Sequence, residues 1–273
     1  MNKGHAGHAV ERHHATEIKQ CCARLYESEI VTRLLGDSFH PGGLRLTERL
    51  GVMLGLSAQS VVLDAASGKG TSARFLAQRF GCTVVGVDLS AENVAYAKAE
   101  AEGTTFATRL SFHVGDTEGL PLDDATVDAI ICECAFCTFP DKPQASQEFA
   151  RVLRPSGRVG LSDITRVPGS TDELTDLMAW IACLADARSA ESYGSWLTDA
   201  GFTDVATERH DEALLEMIRD IGKRLLATEV LAGLKKIDLA GIDLTQAKRL
   251  TQQALTAAHE HRLGYAIVCA TKR

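Results

Sequence analysis

Short apolar runs alternate with amphipathic segments through the middle of the chain, between Ser60 and Asp163. The runs contain β-branched residues, end in small or acidic residues, and predict strands at 60–64, 83–88, 110–115, 127–134 and 158–163. The segments between them repeat apolar residues at three- and four-residue steps, which predicts helices at about 70–80, 90–102 and 141–153. Because strand–helix units repeat at this spacing, we expect a parallel sheet covered on both faces.

The flanking segments are mainly helical. Residues 1–16 are expected to be a flexible tail, and apolar spacing at 17–35 and 44–56 predicts an N-terminal helical cap over 17–56. Later in the chain we expect helices at 171–187 and 189–200, a strand at 203–210, a helical insertion at about 211–262 with a turn at 237–243, and a last strand at 264–272. The pattern therefore predicts one α/β domain at 57–273, with seven strands and a cap.

Composition and charge exclude some classes of function. The net charge of −7 argues against nucleic-acid or anionic-membrane binding as the main activity. No apolar run approaches the roughly 18 residues that span a bilayer. The polar start predicts no signal peptide, so we expect a cytoplasmic protein with reduced cysteines and a small-molecule substrate. The oligomeric state stays open.

The first predicted strand leads into a turn of small residues, in the sequence SVVLDAASGKG. Asp64 ends the strand, and Thr71 begins the following helix. Small residues let the backbone itself approach a ligand, which larger side chains would block. The turn therefore supplies the candidate nucleotide-binding residues, which are Asp64, Ala65, Ala66, Gly68, Gly70 and Thr71.

Two further strand ends carry acidic residues. Asp88 follows the glycine turn by 20 residues and is placed to accept both ribose hydroxyls of a nucleoside, with Leu89 beside it. The third strand ends at Gly115, Asp116 and Thr117, where such folds contact the adenine edge. Carboxyl ends of parallel strands share one edge, so these residues predict a nucleoside site there.

Five motifs, taken in order, resemble class I S-adenosylmethionine-dependent methyltransferases: VLDAASGKG, VVGVDLS, FHVGD, LPLDDATVDAIICE and EFARVLRPSGRVGLSD. The resemblance covers about 57–210 and implies a doubly wound, mainly parallel sheet with a final antiparallel strand, and S-adenosyl-L-methionine as cofactor. It implies that the turn from Asp64 lies against the methionine moiety, that Asp88 holds the ribose and Asp116 faces the adenine, and that Glu133 lies near the cofactor's amino group or the acceptor. Ala66 stands where the family usually has glycine, so we expect its φ to stay negative.

The cysteines resemble those of arsenite methyltransferases. Cys22, with its neighbour Cys21, precedes the first strand, Cys134 follows the fourth, and Cys183 lies in a predicted helix after the fifth. The resemblance implies that Cys22, Cys134 and Cys183 bind As(III) as a substrate through thiolates, and no metal cofactor is expected. Cys82 and Cys269 are expected to be buried, while Cys132 and Cys134, both on the fourth strand, are expected to point to opposite faces.

A turn in the cap supplies further candidates. His40 is the best-placed histidine for a base, and Gly42 and Gly43 would let the backbone approach the end of a ligand. A plain connection between two helices explains the same glycines, and both interpretations stay open.

Other functions also stay open. A small thiol or hydrogen sulfide is the first alternative acceptor, oriented by Tyr26, Ser38, His40 and Glu133. An oxygen or nitrogen acceptor is the second alternative and would need a base such as Glu133 or His40. A non-catalytic metalloid sensor with this fold is the third hypothesis. A nicotinamide-dependent dehydrogenase is disfavoured, because the turn lacks the third glycine of G-x-G-x-x-G and has Arg74 instead.

Overall fold

The computed structural model describes residues 40–169, 184, 186–233 and 243–273. The tail, the helix predicted at 17–35, most of the helix at 171–187 and most of the turn at 237–243 lie outside the described residues, as do Cys21, Cys22, Tyr26, Ser38 and Cys183. The described end of the 171–187 segment is not helical: Asp186 lies in a turn, and Arg188 forms a bridge with Thr165.

The described part of the chain forms seven strands and seven α-helices. The strands are β1 (Val61–Ala65), β2 (Thr83–Asp88), β3 (Leu110–Val114), β4 (Val127–Glu133), β5 (Leu153–Arg166), β6 (Phe202–Arg209) and β7 (Leu263–Lys272). The helices are α1 (Gly43–Met53), α2 (Thr71–Phe80), α3 (Ala91–Glu102), α4 (Lys142–Val152), α5 (Ala190–Asp199), α6 (Asp211–Gly233) and α7 (Leu244–His259). None of the helices described is long and apolar enough to cross a membrane.

The strands form one mixed sheet in the order β3-β2-β1-β4-β5-β7-β6. Strands β1 to β5 pair in parallel, whereas β7 runs antiparallel to both β5 and β6. The sheet starts with β1, and β2 and β3 add to one side of it. The chain then crosses back to place β4 on the other side of β1, which confirms the doubly wound fold class. Such a reversal places the carboxyl ends of β1, β2 and β4 around one crevice, where ligands bind in open α/β sheets.

Apolar side chains cover both faces of the sheet. One cluster joins the sheet to α1, α2 and α3 through residues such as Leu50, Leu76 and Val94. The other joins it to α4, α5, α6 and α7 through residues such as Phe149 and Leu214. Parallel strands buried on both faces explain why the sequence showed continuous apolar runs rather than strict alternation.

The largest correction to the predicted elements concerns β5. The sequence predicts a helix to about 153 and a strand at 158–163, with Pro155, Ser156 and Gly157 between them, but β5 runs from Leu153 to Arg166. Leu153 pairs with Val127 and Arg158 pairs with Ala129, so β5 bulges outward between these two pairs. Ser156 in the bulge has φ 64°. The turn-forming residues therefore make a bulge inside a strand, because pairing with β4 resumes on both sides of it.

The cap helix also ends earlier than predicted. Apolar spacing extends to Leu56, but α1 ends at Met53 and Gly55 has φ 69°. Helices frequently end at a glycine in the left-handed conformation, so Gly55 marks the end of α1 better than the apolar spacing does.

Candidate active site

Backbone hydrogen bonds, one within the turn and one to β2, hold the turn between β1 and α2. The Ser67 N–H donates to the Val87 carbonyl oxygen at 3.0 Å, and the Gly70 N–H donates to the Ser67 carbonyl oxygen at 2.9 Å. Gly68 and Gly70 have φ of 52° and 72°. A Cβ added to Gly68 would meet no atom within 4 Å, whereas one added to Gly70 would lie 2.8 Å from the Phe112 ring. Gly70 thus packs inward, and Gly68 faces open space.

Ala66 corrects a prediction. Its φ is 59°, so the residue adopts the left-handed conformation that the sequence analysis expected it to avoid. The hydrogen bonds on either side fix the course of the turn, and Ala66 follows it despite its Cβ. A non-glycine residue in this region costs about 1–2 kcal/mol.

Asp88 braces the same turn from the end of β2. Its Oδ2 accepts the Gly68 N–H at 2.7 Å, and its Oδ1 accepts the Ser90 N–H at 2.9 Å. A carboxylate offers about four lone-pair positions, so these bonds leave acceptor capacity for a ligand's hydroxyl groups. Asp88 therefore has a structural role that its predicted binding role did not include.

The end of β3 lies next to Asp88. The Gly115 N–H donates to the Asp88 carbonyl oxygen at 3.0 Å, and Asp116 Oδ1 accepts the Glu118 N–H at 3.0 Å. Thr117 is buried, while Leu89 is 38% exposed. The structure thus brings the ends of β2 and β3 together, as the strand order requires.

Glu133, at the end of β4, is the centre of a buried polar network. Its side chain is 5% exposed. Ser72 Oγ donates to Oε2 at 2.6 Å, and Thr47 Oγ1 donates to Oε2 at 3.1 Å. Ser162 Oγ donates to Oε1 at 3.4 Å. These three donors come from α2, α1 and β5, and the sequence analysis missed them because a lone serine or threonine carries no periodic signal.

His40 joins this network from the cap. Its Nε2 lies 3.5 Å from Glu133 Oε2 and 3.3 Å from Thr47 Oγ1, and its side chain is 7% exposed. Gly42 and Gly43, with φ of 75° and 52°, carry the chain from His40 into α1. A Cβ on Gly42 would lie 2.4 Å from the Leu46 side chain, so this glycine is needed for packing within the cap.

Several buried oxygens at this edge of the sheet have no hydrogen-bond partner in the described part of the chain: Asp64 Oδ2, Ser67 Oγ and Asn93 Oδ1. Burial raises the pKa of Asp64 well above its usual value, and the nearby carboxylates of Glu133 and Asp88 raise it further. Unsatisfied buried oxygens are costly, and three of them on β1, the turn after it and α3 are typical of a site that awaits polar groups of a ligand. Ser67 and Asn93 were not predicted.

The described cysteines fall into two groups. Cys82, Cys132, Cys137 and Cys269 are buried, as predicted for Cys82 and Cys269, while Cys134 is partly exposed. Burial raises the pKa of Cys82 to about 11 and that of Cys269 to about 12. Burial and the nearby Asp163 carboxylate also raise the pKa of Cys132 well above its usual value. These three thiols stay protonated near neutral pH and are poor ligands for a soft ion.

Cys134 lies just beyond β4, with φ 51°. Its N–H donates to the Ser162 carbonyl oxygen at 2.7 Å. The sequence analysis predicted opposite faces for Cys132 and Cys134, but both border the same apolar cluster. That prediction was wrong, because residues two positions apart along a strand point to the same face and only adjacent residues point to opposite faces.

Comparison with known proteins identifies the domain. A family profile described as "Methyltransferase domain" matches residues 63–161. Phosphoethanolamine N-methyltransferase of Triticum aestivum is 32% identical over 189 residues, which cover 68% of this chain and 37% of that protein. Arsenite methyltransferase of Halobacterium salinarum is 32% identical over 178 residues, covering 62% of this chain and 45% of that protein. The chain thus spans less than half the length of these two relatives.

A solved structure supports the fold. Phosphoethanolamine N-methyltransferase 2 of Haemonchus contortus, in complex with S-adenosyl-L-methionine, aligns with a TM-score of 0.74 and 20% identity, over 88% of this chain and 55% of that one. The likeness is in the fold alone.

The residues at the sheet edge fit S-adenosylmethionine. The open side of Gly68 leaves room for a ligand against the backbone, and the buried carboxylates suit the positive charges of the sulfonium and amino groups. The unpartnered oxygens of Asp64 and Ser67 would accept hydrogen bonds that the protein itself does not supply. The recognition of this class from the sequence, with its fold, reaction type and cofactor, is thereby confirmed at the level of the domain. The chain carries an S-adenosylmethionine-dependent methyltransferase domain with the class I fold.

Proposed function

We propose that this protein transfers a methyl group from S-adenosylmethionine to a small soft nucleophile, with As(III) as the favoured acceptor. The observation that carries the proposal is the position of Cys134. It directly follows Glu133 at the sheet edge, and it is partly exposed while the other described cysteines are buried. An arsenite methyltransferase among the relatives supports the same choice.

The chemistry suits such an acceptor. When bound, S-adenosylmethionine would supply a methyl group on a sulfonium: an acceptor's lone pair would bond to the methyl carbon in line, the carbon–sulfur bond would break, and S-adenosylhomocysteine would leave with that electron pair. Trivalent arsenic and thiolates are already nucleophilic, so they need positioning more than they need a base. Soft metalloids prefer thiolate ligands, which makes a partly exposed cysteine a suitable anchor. Cys22 and Cys183, which lie outside the described residues, would complete a three-thiolate set in this proposal.

We propose the following roles for the cofactor residues. The turn from Asp64 to Gly70, with Thr71, holds the methionine moiety, and Ala65 and Ala66 keep its backbone accessible. Asp88 and Leu89 contact the ribose, Gly115, Asp116 and Thr117 face the adenine, and Gly42 and Gly43 shape the cap over the ligand. The buried, unpartnered oxygen of Asp64 and the open side of Gly68 support this assignment.

A small amine is the second candidate acceptor. Phosphoethanolamine N-methyltransferases are among the relatives, and His40 Nε2 lies 3.5 Å from Glu133 Oε2, which suits a pair that accepts a proton. A small thiol is the third candidate. A cytoplasmic location, where thiols stay reduced, belongs to the same proposal.

Product analysis with labelled S-adenosylmethionine tests the proposal. The purified protein is offered arsenite, methanethiol, sulfide and phosphoethanolamine separately. Cys134→Ser should lower arsenite methylation roughly 100-fold, the loss typical of a mispositioned reactant. Cys82→Ser is the matched control, because Cys82 is buried before β2 and donates to the Leu76 carbonyl oxygen at 3.4 Å, which a serine hydroxyl can still do.

The outcomes separate the candidates. Full arsenite activity in Cys134→Ser would contradict the role of this thiol. Methylation of phosphoethanolamine alone, lost in Glu133→Gln, would favour the amine. Thiol methylation that survives Cys134→Ser would favour the thiol acceptor, and binding of arsenite without any methyl transfer would favour a sensor.

A further inference from the structure

Ser162 connects the two candidate groups at the end of β4. It is fully buried on β5 and lies in register with Glu133 on β4. Its carbonyl oxygen accepts the Cys134 N–H at 2.7 Å, and its hydroxyl lies 3.4 Å from Glu133 Oε1. One residue therefore contacts both the carboxylate and the backbone that carries the thiol.

Tyr265 supports Ser162 from the antiparallel strand β7. It is fully buried, and its hydroxyl lies 3.1 Å from both the carbonyl oxygen and the hydroxyl oxygen of Ser162. Burial raises the pKa of Tyr265 well above its usual value, with smaller contributions from Cys134 and Glu133, so the phenol stays a hydrogen-bond donor. A phenylalanine would fill the same space and leave Ser162 without this donor.

The backbone of Cys134 needs such support. Its φ of 51° is unfavourable for a residue with a side chain. Strained residues of this kind persist only where the surrounding structure holds them, and they cluster at functional sites. The bond from the Cys134 N–H to Ser162 is the contact that holds this reversal of the chain.

Buried tyrosine hydroxyls usually find a partner, so a hydrogen bond from Tyr265 alone would be ordinary. Tyr193 shows the ordinary case: it is also buried, and its hydroxyl donates to the Ile164 carbonyl oxygen at 2.8 Å and accepts the Arg188 N–H at 3.0 Å. What distinguishes Tyr265 is its partner, since Ser162 is also bonded to Cys134 and Glu133.

We propose that Tyr265 and Ser162 are positioning residues for the acceptor side of the site. Tyr265 fixes Ser162, and Ser162 fixes the Glu133 carboxylate through its hydroxyl and the Cys134 thiol through its carbonyl group. The chemical role of the thiol in this inference rests on the proposed function, but the positioning itself does not.

Site-specific alkylation tests the positioning without reference to any acceptor. Iodoacetamide labelling of the full-length protein is followed by mass spectrometry at Cys134. Tyr265→Phe should change the alkylation rate of Cys134 about fivefold, the equivalent of one hydrogen bond. Tyr193→Phe removes a buried tyrosine hydroxyl of the same kind and should leave this rate within about twofold of the wild type.

A second variant separates the contribution of the Ser162 hydroxyl from that of its carbonyl group. Ser162→Ala retains the carbonyl group that holds Cys134 but loses the hydroxyl that contacts Glu133. It should leave Cys134 alkylation within about twofold of the wild type. An unchanged rate in Tyr265→Phe, an equal change in Tyr193→Phe, or a change in Ser162→Ala as large as that in Tyr265→Phe would overturn the proposal.

Methylation assays then connect the two proposals. With a confirmed acceptor, Tyr265→Phe should lower kcat/KM for that acceptor about tenfold and leave the Kd for S-adenosylmethionine unchanged. If the wild-type protein methylates no soft acceptor but alkylation responds as expected, the proposed function fails and the positioning role stands. The reverse result overturns the positioning role alone.

Discussion

At the scale of the residue, the buried carboxyl group of Asp64 is an unfavourable position for a negative charge. It is 3% exposed, and the carboxylates of Glu133 and Asp88 are close enough to raise its pKa further. Such an arrangement costs stability in the absence of a cation, because an ionised carboxylate loses its hydration and gains like-charge neighbours.

This cost makes the stability of the cofactor-free protein depend on pH. The folded-state pKa of Asp64 lies above the unfolded value of about 3.9, so the folded protein binds more protons, and stability falls as pH rises between the two values. Asp64→Asn should therefore raise the midpoint of thermal unfolding at neutral pH, measured without cofactor, and should flatten its dependence on pH. A lower midpoint than that of the wild type would contradict this account.

Asp220 is a control, because its contribution to stability should change with pH in the opposite direction to that of Asp64. Its carboxyl is exposed and hydrogen-bonded to Lys223, which lowers its pKa. That pair stabilises the protein above the unfolded pKa and stops doing so as pH falls through the lower folded value. Asp220→Asn should thus slightly lower stability at neutral pH.

Sequence alone located Asp64 and Asp88, because both end apolar runs and strand ends of a parallel sheet share an edge. It did not reveal Ser67, Thr47 or Ser72, since their contacts join distant parts of the chain. It was wrong about the φ of Ala66, because the turn's backbone bonds outweigh the preference of a single alanine.

At the scale of the element, the turn into α2 contains two glycines with different tasks. Gly70 packs against Phe112 and Ala97, and Gly68 borders open space. Both have positive φ, so alanine is strained at either position, but only Gly70 lacks room for a Cβ.

Two alanine substitutions separate packing from binding. Gly70→Ala adds strain and a clash with the Phe112 ring, so it should lower the free energy of unfolding by about 2–4 kcal/mol. Gly68→Ala adds strain alone and should cost only about 1–2 kcal/mol, but its Cβ would enter the space assigned to the cofactor and weaken S-adenosylmethionine binding. Denaturant unfolding and calorimetric titration measure the two effects. Equal losses of stability in both variants would contradict this division.

Periodicity located most elements, including α3, whose N-cap is Ser90: its Oγ accepts the Asn93 N–H at 3.0 Å. It failed at β5, where turn-forming residues lie inside a strand as a bulge. Whether such residues end a strand depends on a neighbouring strand beyond them, which local pattern does not contain.

At the scale of the whole molecule, strand order assembles the site from segments far apart in sequence. Glu133 receives hydrogen bonds from α1, α2 and β5, which are the cap helix, the helix after β1 and a neighbouring strand of the sheet. A ligand bound at this edge would therefore meet the cap helix, the first helix after β1 and the sheet at one place.

Cofactor binding should accordingly stabilise the whole fold. At a free concentration of about 100 times its Kd, S-adenosylhomocysteine should add about 2.7 kcal/mol to the free energy of unfolding. Asp88→Ala should lower the unfolding midpoint by itself, since it removes acceptors for the Gly68 and Ser90 N–H groups, and should also remove most of the ligand-induced shift. Scanning calorimetry with and without the ligand measures both. A full shift in Asp88→Ala would exclude Asp88 from the cofactor site.

The position of β7 has a consequence for how the chain acquires its structure during synthesis. In the part of the chain described, β6 at the sheet edge pairs only with β7, although α6 and α7 separate the two in sequence. During synthesis, β6 therefore leaves the ribosome before β7, and it has no strand to pair with until both helices have also been synthesised. Because Tyr265 also belongs to β7, its hydrogen bond to Ser162 forms only after both helices have been synthesised.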